Sequence, residues 1–268
     1  MKTRLTIGLL SLSAILAVVV QAFSGPPQRK VSDDWDLPER DEIHQTYELS
    51  LGGRVEVRGI NGPVEIETGS GTRAEVNIVR SARNREDLNY RKIIVEQSSS
   101  SLVVRGENQR EGDWGRHRRI RERVSLKLPR QIELTMSGIN ASAHVGEIDG
   151  PVHLSGINGR VDVAQALGYT NLSGINGVVT LKMAGLSERG VRVSGVNGRV
   201  ELRFAGSLDA DVEVTGINGS VDADIPEMTI VGKQSRQSFR ARIGAGGTPI
   251  SVSGVNGSVR LTRGGSSG

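Results

Sequence analysis

Cysteine is absent from all 268 residues. That excludes a lipid-modified cysteine anchor, a disulfide framework, thiolate zinc sites and cysteine nucleophiles. Aromatic side chains are nearly as scarce, at 3%, so a core of Val, Ile and Leu is expected. Beyond Val20 no run is apolar enough to span a bilayer as a helix, which takes about 20 residues. The formal charge of +4 falls to +2 without Lys2 and Arg4, too small a surplus to imply a polyanion partner by itself. His44, His117, His144 and His153 are scattered and lack the spacing that zinc requires. His144 and His153, with Asp149 between them, are the one pair that adjacent strands could bring near each other, and solvated surface histidines are the other reading. No cofactor is implied, since no Gly-rich loop follows a strand and opens a helix to cradle phosphates.

The N-terminus has the build of an export signal. Lys2 and Arg4 precede an apolar stretch from Ile7 to Val20, and Val20-Gln21-Ala22 offers small residues for cleavage. Residues 1–22 are therefore expected to be a signal peptide, with an uncleaved anchor as the alternative. Residues 23–41, with Gly25, Pro26, Pro27 and Pro38, read as a flexible linker that includes Trp35.

What the chain has in quantity is one repeated unit. Gly-Ile/Val-Asn-Gly begins at Gly59, Gly138, Gly156, Gly174, Gly195, Gly216 and Gly254, with Ala141 in the last place of the second copy. Apolar residues recur four and two places before the first Gly, as in Val152/Leu154 and Val191/Val193. They recur again three and five places after the Asn, as in Val161/Val163 and Val200/Leu202. Thr170 alone departs from this frame. From the second copy onward the spacings are 18, 18, 21, 21 and 38 residues, the last about two repeat lengths. A fixed period near this size marks a repeat architecture whose units bury their faces against one another.

Two local readings compete. Asn-Gly between alternating apolar residues is a strong hairpin signal. A hairpin turning at Asn158-Gly159, however, would leave Ile157 on the polar face beside Ser155 and Asp162. A corner in a coil points Ile157 inward instead and gives each coil about six apolar side chains, each stabilising by roughly 1.5–3 kcal/mol when buried. The all-β fold expected is thus a β-solenoid, β-helix-like, of short stacked strands with an irregular β N-terminal cap; an antiparallel meander or barrel is the alternative. Residues 42–130 form the irregular region, with strands near Val76–Ile78, Ile93–Val95, Leu102–Val104 and Val124–Leu128 and a short helix within Arg83–Arg91. Residues 131–263 form the repeat array, with one degenerate coil between Pro226 and Thr248. Residues 264–268 form a flexible tail. Stacked coils would align the corner residues Asn61, Asn140, Asn158, Asn176, Asn197, Asn218 and Asn256, the middle ones as a hydrogen-bonded ladder. Asn61 is expected to stand outside the regular array. In the other reading each Asn only makes a turn.

The repeated Ser/Thr-Gly-Ile/Val-Asn-Gly-x-Val-x-Val units, the Arg240–Gly247 segment and the closing Val252–Leu261 resemble the bacterial "putative adhesin" family, a domain of unknown function built of β-strand repeats. The resemblance spans about Val55 to Leu261. It implies an exported or envelope-associated protein, periplasmic, cell-envelope or secreted, and brings no catalytic residues with it.

Chemistry is sparse. Outward acids such as Glu65, Asp162, Glu201 and Asp222 recur at comparable positions, and glycoside hydrolysis needs two such carboxylates held close. Arg160, Arg199 and Arg260 share the same strands, which points to mixed surface charge instead. The sharpest local feature is Arg105–Arg130, with nine basic and four acidic residues. Within it Trp114, Arg116, Arg118, Arg119, Arg121 and Arg123 are the candidate partner-binding residues. The partner would be an anionic envelope polymer, anionic lipid or protein, and a solvated hairpin loop is the competing reading. An exported location points away from nucleic acid. The leading expectation is a non-enzymatic envelope scaffold or adhesin-like interaction surface. The alternatives are a carbohydrate-active solenoid enzyme and an envelope sensor that meets a membrane partner through the basic loop.

Overall fold

The structure, a computed structural model, describes residues 37–108 and 120–263 apart from Gln234 and Arg236. In chain order its elements are β1 Glu39–Glu48, β2 Gly53–Arg58, β3 Val64–Gly69, β4 Arg73–Ala82, α1 Arg85–Tyr90, β5 Arg91–Ser98, β6 Ser101–Asn108 and β7 Ile120–Pro129. The repeats follow as β8 Ile132–Ile139, β9 Ala143–Ile148, β10 Val152–Ala166, β11 Thr170–Met183 and β12 Val191–Phe204. The chain then closes with β13 Ala210–Thr215, β14 Asn218–Asp224, β15 Met228–Ile230, β16 Ser238–Ile243 and β17 Thr248–Arg263. Among the described residues the fold is all-β apart from one short helix, and its sheet is open rather than closed into a barrel.

The strands on either side of each Asn do not fold back on one another. Each instead pairs in parallel with the same arm of another copy, so Val152 meets Thr170 and Val161 meets Val179. Thr170 meets Val191 and Val191 meets Ile250 in the same way. In this register the inward set of every copy falls on the inward set of its neighbours. Ile60, Ile139, Ile157, Ile175, Val196, Ile217 and Val255, the residues a hairpin would have stranded outside, are all buried. The third copy alone buries Val152, Leu154, Ile157, Val161, Val163 and Ala166. Thr170 is buried too, and its hydroxyl donates to the Gly168 carbonyl at 3.5 Å.

Chain order and stacking order differ. The first copy, β2 and β3, lies directly on β8 and β9, so it belongs to the same stack rather than to a separate irregular region. The seventh copy, β17, sits between β12 and the sixth copy, β13 and β14. The frames explain this exchange. All of Ile250, Val252, Val255, Val259 and Leu261 are buried, as an interior layer requires. The sixth copy has Ala223 where the seventh has Leu261, and this smaller side chain loses least where the end of the stack leaves it exposed.

The segment from Pro226 to Thr248 is a correction. It forms no further parallel coil; β16 pairs antiparallel with β13, and β15 antiparallel with β16. Reversing direction returns the chain so that β17 can enter beside β12. The linker also ends earlier than expected, because β1 pairs with β4 from Glu39 onward. At the other end the cap takes shape from β6 on β2 and β7 on β3, with β5, β4 and β1 added antiparallel. Helix α1 begins at Asn84, whose side chain accepts from the Asp87 N–H at 2.8 Å, the usual role of an N-cap residue.

Corner glycines let the layers touch. Gly198 has φ 145°, and a Cβ there would lie 1.8 Å from the Gly177 carbonyl oxygen. Gly206, in the turn between β12 and β13, has nothing within 4 Å of such a position. Gly198→Ala should therefore cost about 2–4 kcal/mol from strain and overlap together. Gly206→Ala should stay within about 0.5 kcal/mol of the parent. Urea denaturation of the two variants checks this, and equal midpoints would contradict the packing described.

Candidate interaction surfaces

The repeated Asn residues form one continuous ladder along the exposed corner. Asn140 donates its amide N–H to Asn61 at 3.0 Å, Asn158 to Asn140 at 3.0 Å and Asn176 to Asn158 at 3.1 Å. Asn197 donates to Asn176 at 3.1 Å, Asn256 to Asn197 at 3.1 Å and Asn218 to Asn256 at 3.2 Å. All seven take part, and each bond runs the same way. Two expectations are corrected here. Asn61 is a member of the ladder rather than an outsider, and Asn197 meets Asn256, not Asn218, because β17 enters the stack out of sequence.

The ladder stops at a buried ion pair. In the second copy the Asn140 backbone N–H donates to the Ile60 carbonyl at 2.9 Å. Asn61 has no earlier copy beneath it, and the Glu122 carboxylate accepts its N–H at 2.6 Å instead. Glu122 is fully buried, and Arg91 donates to it through Nε at 2.7 Å and Nη2 at 3.2 Å. Arg91 Nη2 also donates to the Gly59 carbonyl. One guanidinium thus serves both the carboxylate and the first corner. Gly62 makes room for this, since a Cβ there would lie 1.7 Å from the Glu122 carbonyl oxygen. The arrangement was missed in the sequence, although parity carried it. Glu122 shares its face of β7 with Val124, Leu126 and Leu128, all buried. Arg80 likewise shares its face with Val76 and Ile78, and is bound by Asp41 and by the Leu88 and Arg91 carbonyls.

The acids of the second-arm row line up but are kept apart. Across the second arms the row reads Glu65, His144, Asp162, Thr180, Glu201, Arg260 and Asp222. A different residue separates each acid from the next, at strand spacings of about 4.8 Å. Asp222 pairs with Arg260 at 3.2 Å. Glu201 is held below its ordinary 4.5, first by the hydrogen bond from Arg203 at 2.9 Å and then by the charges of Arg203, Arg260 and Arg199. A general acid would need the opposite displacement. Glu65, Glu67 and Glu75 line one groove with His44 and Lys127, and Lys127 lies 3.6 Å from Glu75. His144 and His153 lie on different arms: His144 pairs in register with Glu65 and Asp162, while His153 meets the Tyr169 ring edge-on at 5.6 Å. Among the described residues no three potential ligands gather as a metal site.

The basic segment is described in part. Trp114, Arg116, Arg118 and Arg119 lie outside the described residues, as does His117. Arg121 and Arg123 stand on β7 opposite Ser81 and Val79 of β4.

No protein-family model matches the chain, and no curated relative does. Among solved structures, a "putative cell adhesion protein" from Clostridium sporogenes is 12% identical with TM-score 0.44, covering 84% of this chain and 100% of its own. A "putative adhesin" from Bacteroides fragilis is 14% identical with TM-score 0.33, covering 85% and 99%. Another from Parabacteroides merdae is 9% identical with TM-score 0.31, covering 83% and 96%. Overlaps this loose carry no function across.

Two measurements follow from the site geometry. Arg91→Met strands a buried carboxylate and should cost about 3–5 kcal/mol, with much of that recovered when Glu122→Gln is added. Additive losses in urea titrations would show that the two side chains do not act as a pair. Glu201 gives the second. Its pKa is lower folded than unfolded, so its contribution is complete above the ordinary carboxylate range and fades as pH falls through the folded value. Glu201→Gln should therefore flatten the fall of melting temperature on the acid side below about pH 5, and leave its neutral-pH dependence alone.

Proposed function

We propose that this chain is an exported, non-enzymatic β-solenoid that serves as a scaffold or adhesin-like interaction surface in the bacterial envelope. The observation carrying the reading is the seven-layer parallel stack joined by the Asn ladder. Such a stack puts most of its recurring residues, the glycines, asparagines and inward aliphatics, to structural use. Its outward second-arm row keeps its four acids apart with His144, Thr180 and Arg260, and Asp222 and Glu201 are held by Arg260 and Arg203, a polar face of the kind that keeps a sheet soluble. The carbohydrate-active alternative needs two facing carboxylates with one held protonated; the displaced carboxyl of this row is displaced the wrong way. Export is supported by the Lys2/Arg4, Ile7–Val20 and Ala22 pattern, and suits a fold stabilised without cysteine. The basic run around Trp114, Arg116, Arg118, Arg119, Arg121 and Arg123 is the part of the sequence with charge suited to an anionic polymer, lipid or acidic protein.

Cell fractionation with in-cell crosslinking tests the reading. The expected result is recovery in the envelope or medium fraction, trimmed near Ala22 and crosslinked to an envelope component. Recovery in the cytosol, or hydrolysis of a cell-wall or capsule polysaccharide by the purified protein, would overturn it. For the basic run, changing Arg116, Arg118, Arg119 and Arg121 to Ser should abolish retention on anionic vesicles or polysaccharide. Unchanged retention with the fold intact removes that element alone.

A further inference from the structure

The two ends of the stack are finished differently. At the end that carries Asn61, both arms are covered: β6 and β5 lie over β2, and β7, β4 and β1 over β3. At the opposite end β16 and β15 cover the first arm, β13. The second arm of that copy is β14, which pairs with β17 on one side and, among the described residues, with no strand on the other. Its side chains are exposed throughout except for Val221, which is half-buried. The outer edge of this seven-residue strand therefore presents the backbone N–H and C=O groups of alternate residues to solvent, a template for one more strand.

The side chains state what that strand should carry. Val221 and Ala223 lie in register with the buried Val259 and Leu261, so they continue the inward face. Ser220, Asp222 and Asp224 alternate with them on the outward face. An added strand with apolar residues at every second position would extend the core by one layer. Its outward residues would stand beside two aspartates, and Arg260 already meets Asp222 in this way from the β17 side. A second copy of this chain suits the edge poorly. Two β14 strands together would bring four aspartates to one face, and head-to-tail stacking would set β14 against β1, which carries four acids and one arginine.

We infer that the free edge of β14 is a docking site for an extended segment of a partner protein in which basic and apolar residues alternate. The segment adds as a further layer of the second arm, with its apolar residues over Val221 and Ala223 and its basic residues beside Asp222 and Asp224. This deepens the scaffold reading by assigning one of its interaction surfaces, and it rests on that reading.

Binding of three fluorescein-labelled nine-residue peptides tests it, read by anisotropy on the full chain: alternating Lys and Val, the same composition in blocked order, and alternating Glu and Val. The alternating Lys peptide should bind at least tenfold more tightly than the other two, and hydrogen exchange should slow at β14 amides on binding. In Asp222→Lys/Asp224→Lys, with its circular dichroism unchanged, the preference should pass to the Glu peptide. Equal binding of the blocked and alternating Lys peptides would reduce the effect to charge and overturn strand addition, as would no binding. A dimer in sedimentation that protects β14 amides without peptide would overturn it in favour of a second copy. None of these failures touches the fractionation result, so the scaffold reading stands or falls separately.

Discussion

Backbone contact at one corner is the constraint on which the rest of this structure depends. Successive copies share a ladder through the corner most closely where their backbones approach without a Cβ between them. Gly177, Gly198, Gly219 and Gly257 each sit where a Cβ would overlap the carbonyl oxygen of the layer below at 2.0 Å or less. The Asn between the glycines then has its amide at strand spacing from the next amide, and the one-way ladder follows. The second copy has Ala141 at this place and divides into β8 and β9 at the corner, as the first and sixth copies do with glycine there, while the third, fourth, fifth and seventh run through as single long strands. Its Asn140 still joins the ladder on both sides. Inward burial of Ile or Val at every corner supplies the apolar free energy, but the glycines decide that it can be collected in layers.

A stack built on mutual pairing leaves unsatisfied groups at both ends, and the two ends meet this problem by different means. At the first copy the missing carbonyl is replaced by the Glu122 carboxylate, which in turn requires Arg91. A buried ion pair is a poor source of net stability. Here it gives termination: no ordinary coil can be added where a charged pair and the antiparallel strands β1, β4 and β5 already stand. At the sixth copy the closure is by antiparallel strands over one arm only, with Arg240 on Glu213 and Arg242 on Asp211 along their outer face. The smallest residue of that frame, Ala223, stands in the exposed arm, which is the one with least to lose.

Much of this was legible in the sequence. The period, the inward Ile or Val, the register of the frame and the Asn ladder all follow from counting residues, because each is a local rule repeated. The stacking order was not, since the rule is the same in every copy and any two copies satisfy it equally well. Only the relative strength of Val221/Ala223 against Val259/Leu261 separates the sixth from the seventh, and that difference decides position only once the whole stack is compared. The fold-back through β15 and β16 went unread for the same reason: Thr229–Val231 and Phe239–Ile243 are recognisable strands, but their direction is set by the slot that β17 fills. Glu122 and Arg80 were concealed in a run of charges. Alternation with buried aliphatic neighbours gave their inward orientation, whereas charge composition pointed outward.

Repetition also constrains where function can lie. A residue type present in all seven copies is already accounted for by stacking, as the glycines, the asparagines and the inward aliphatics are. Specific recognition must then use what differs between copies: the outward row, the insertions and the ends. In the outward row the differences keep four acids apart, with His144, Thr180 and Arg260 between them, and leave that row net acidic. The insertion between the first and second copies concentrates unlike charges instead, burying some to close the stack and leaving a basic run beyond. The ends differ most of all, one closed over both arms and the other over one. Selectivity in a molecule of this kind therefore belongs to its interruptions, and the regular layers between them fix how far apart those interruptions are held.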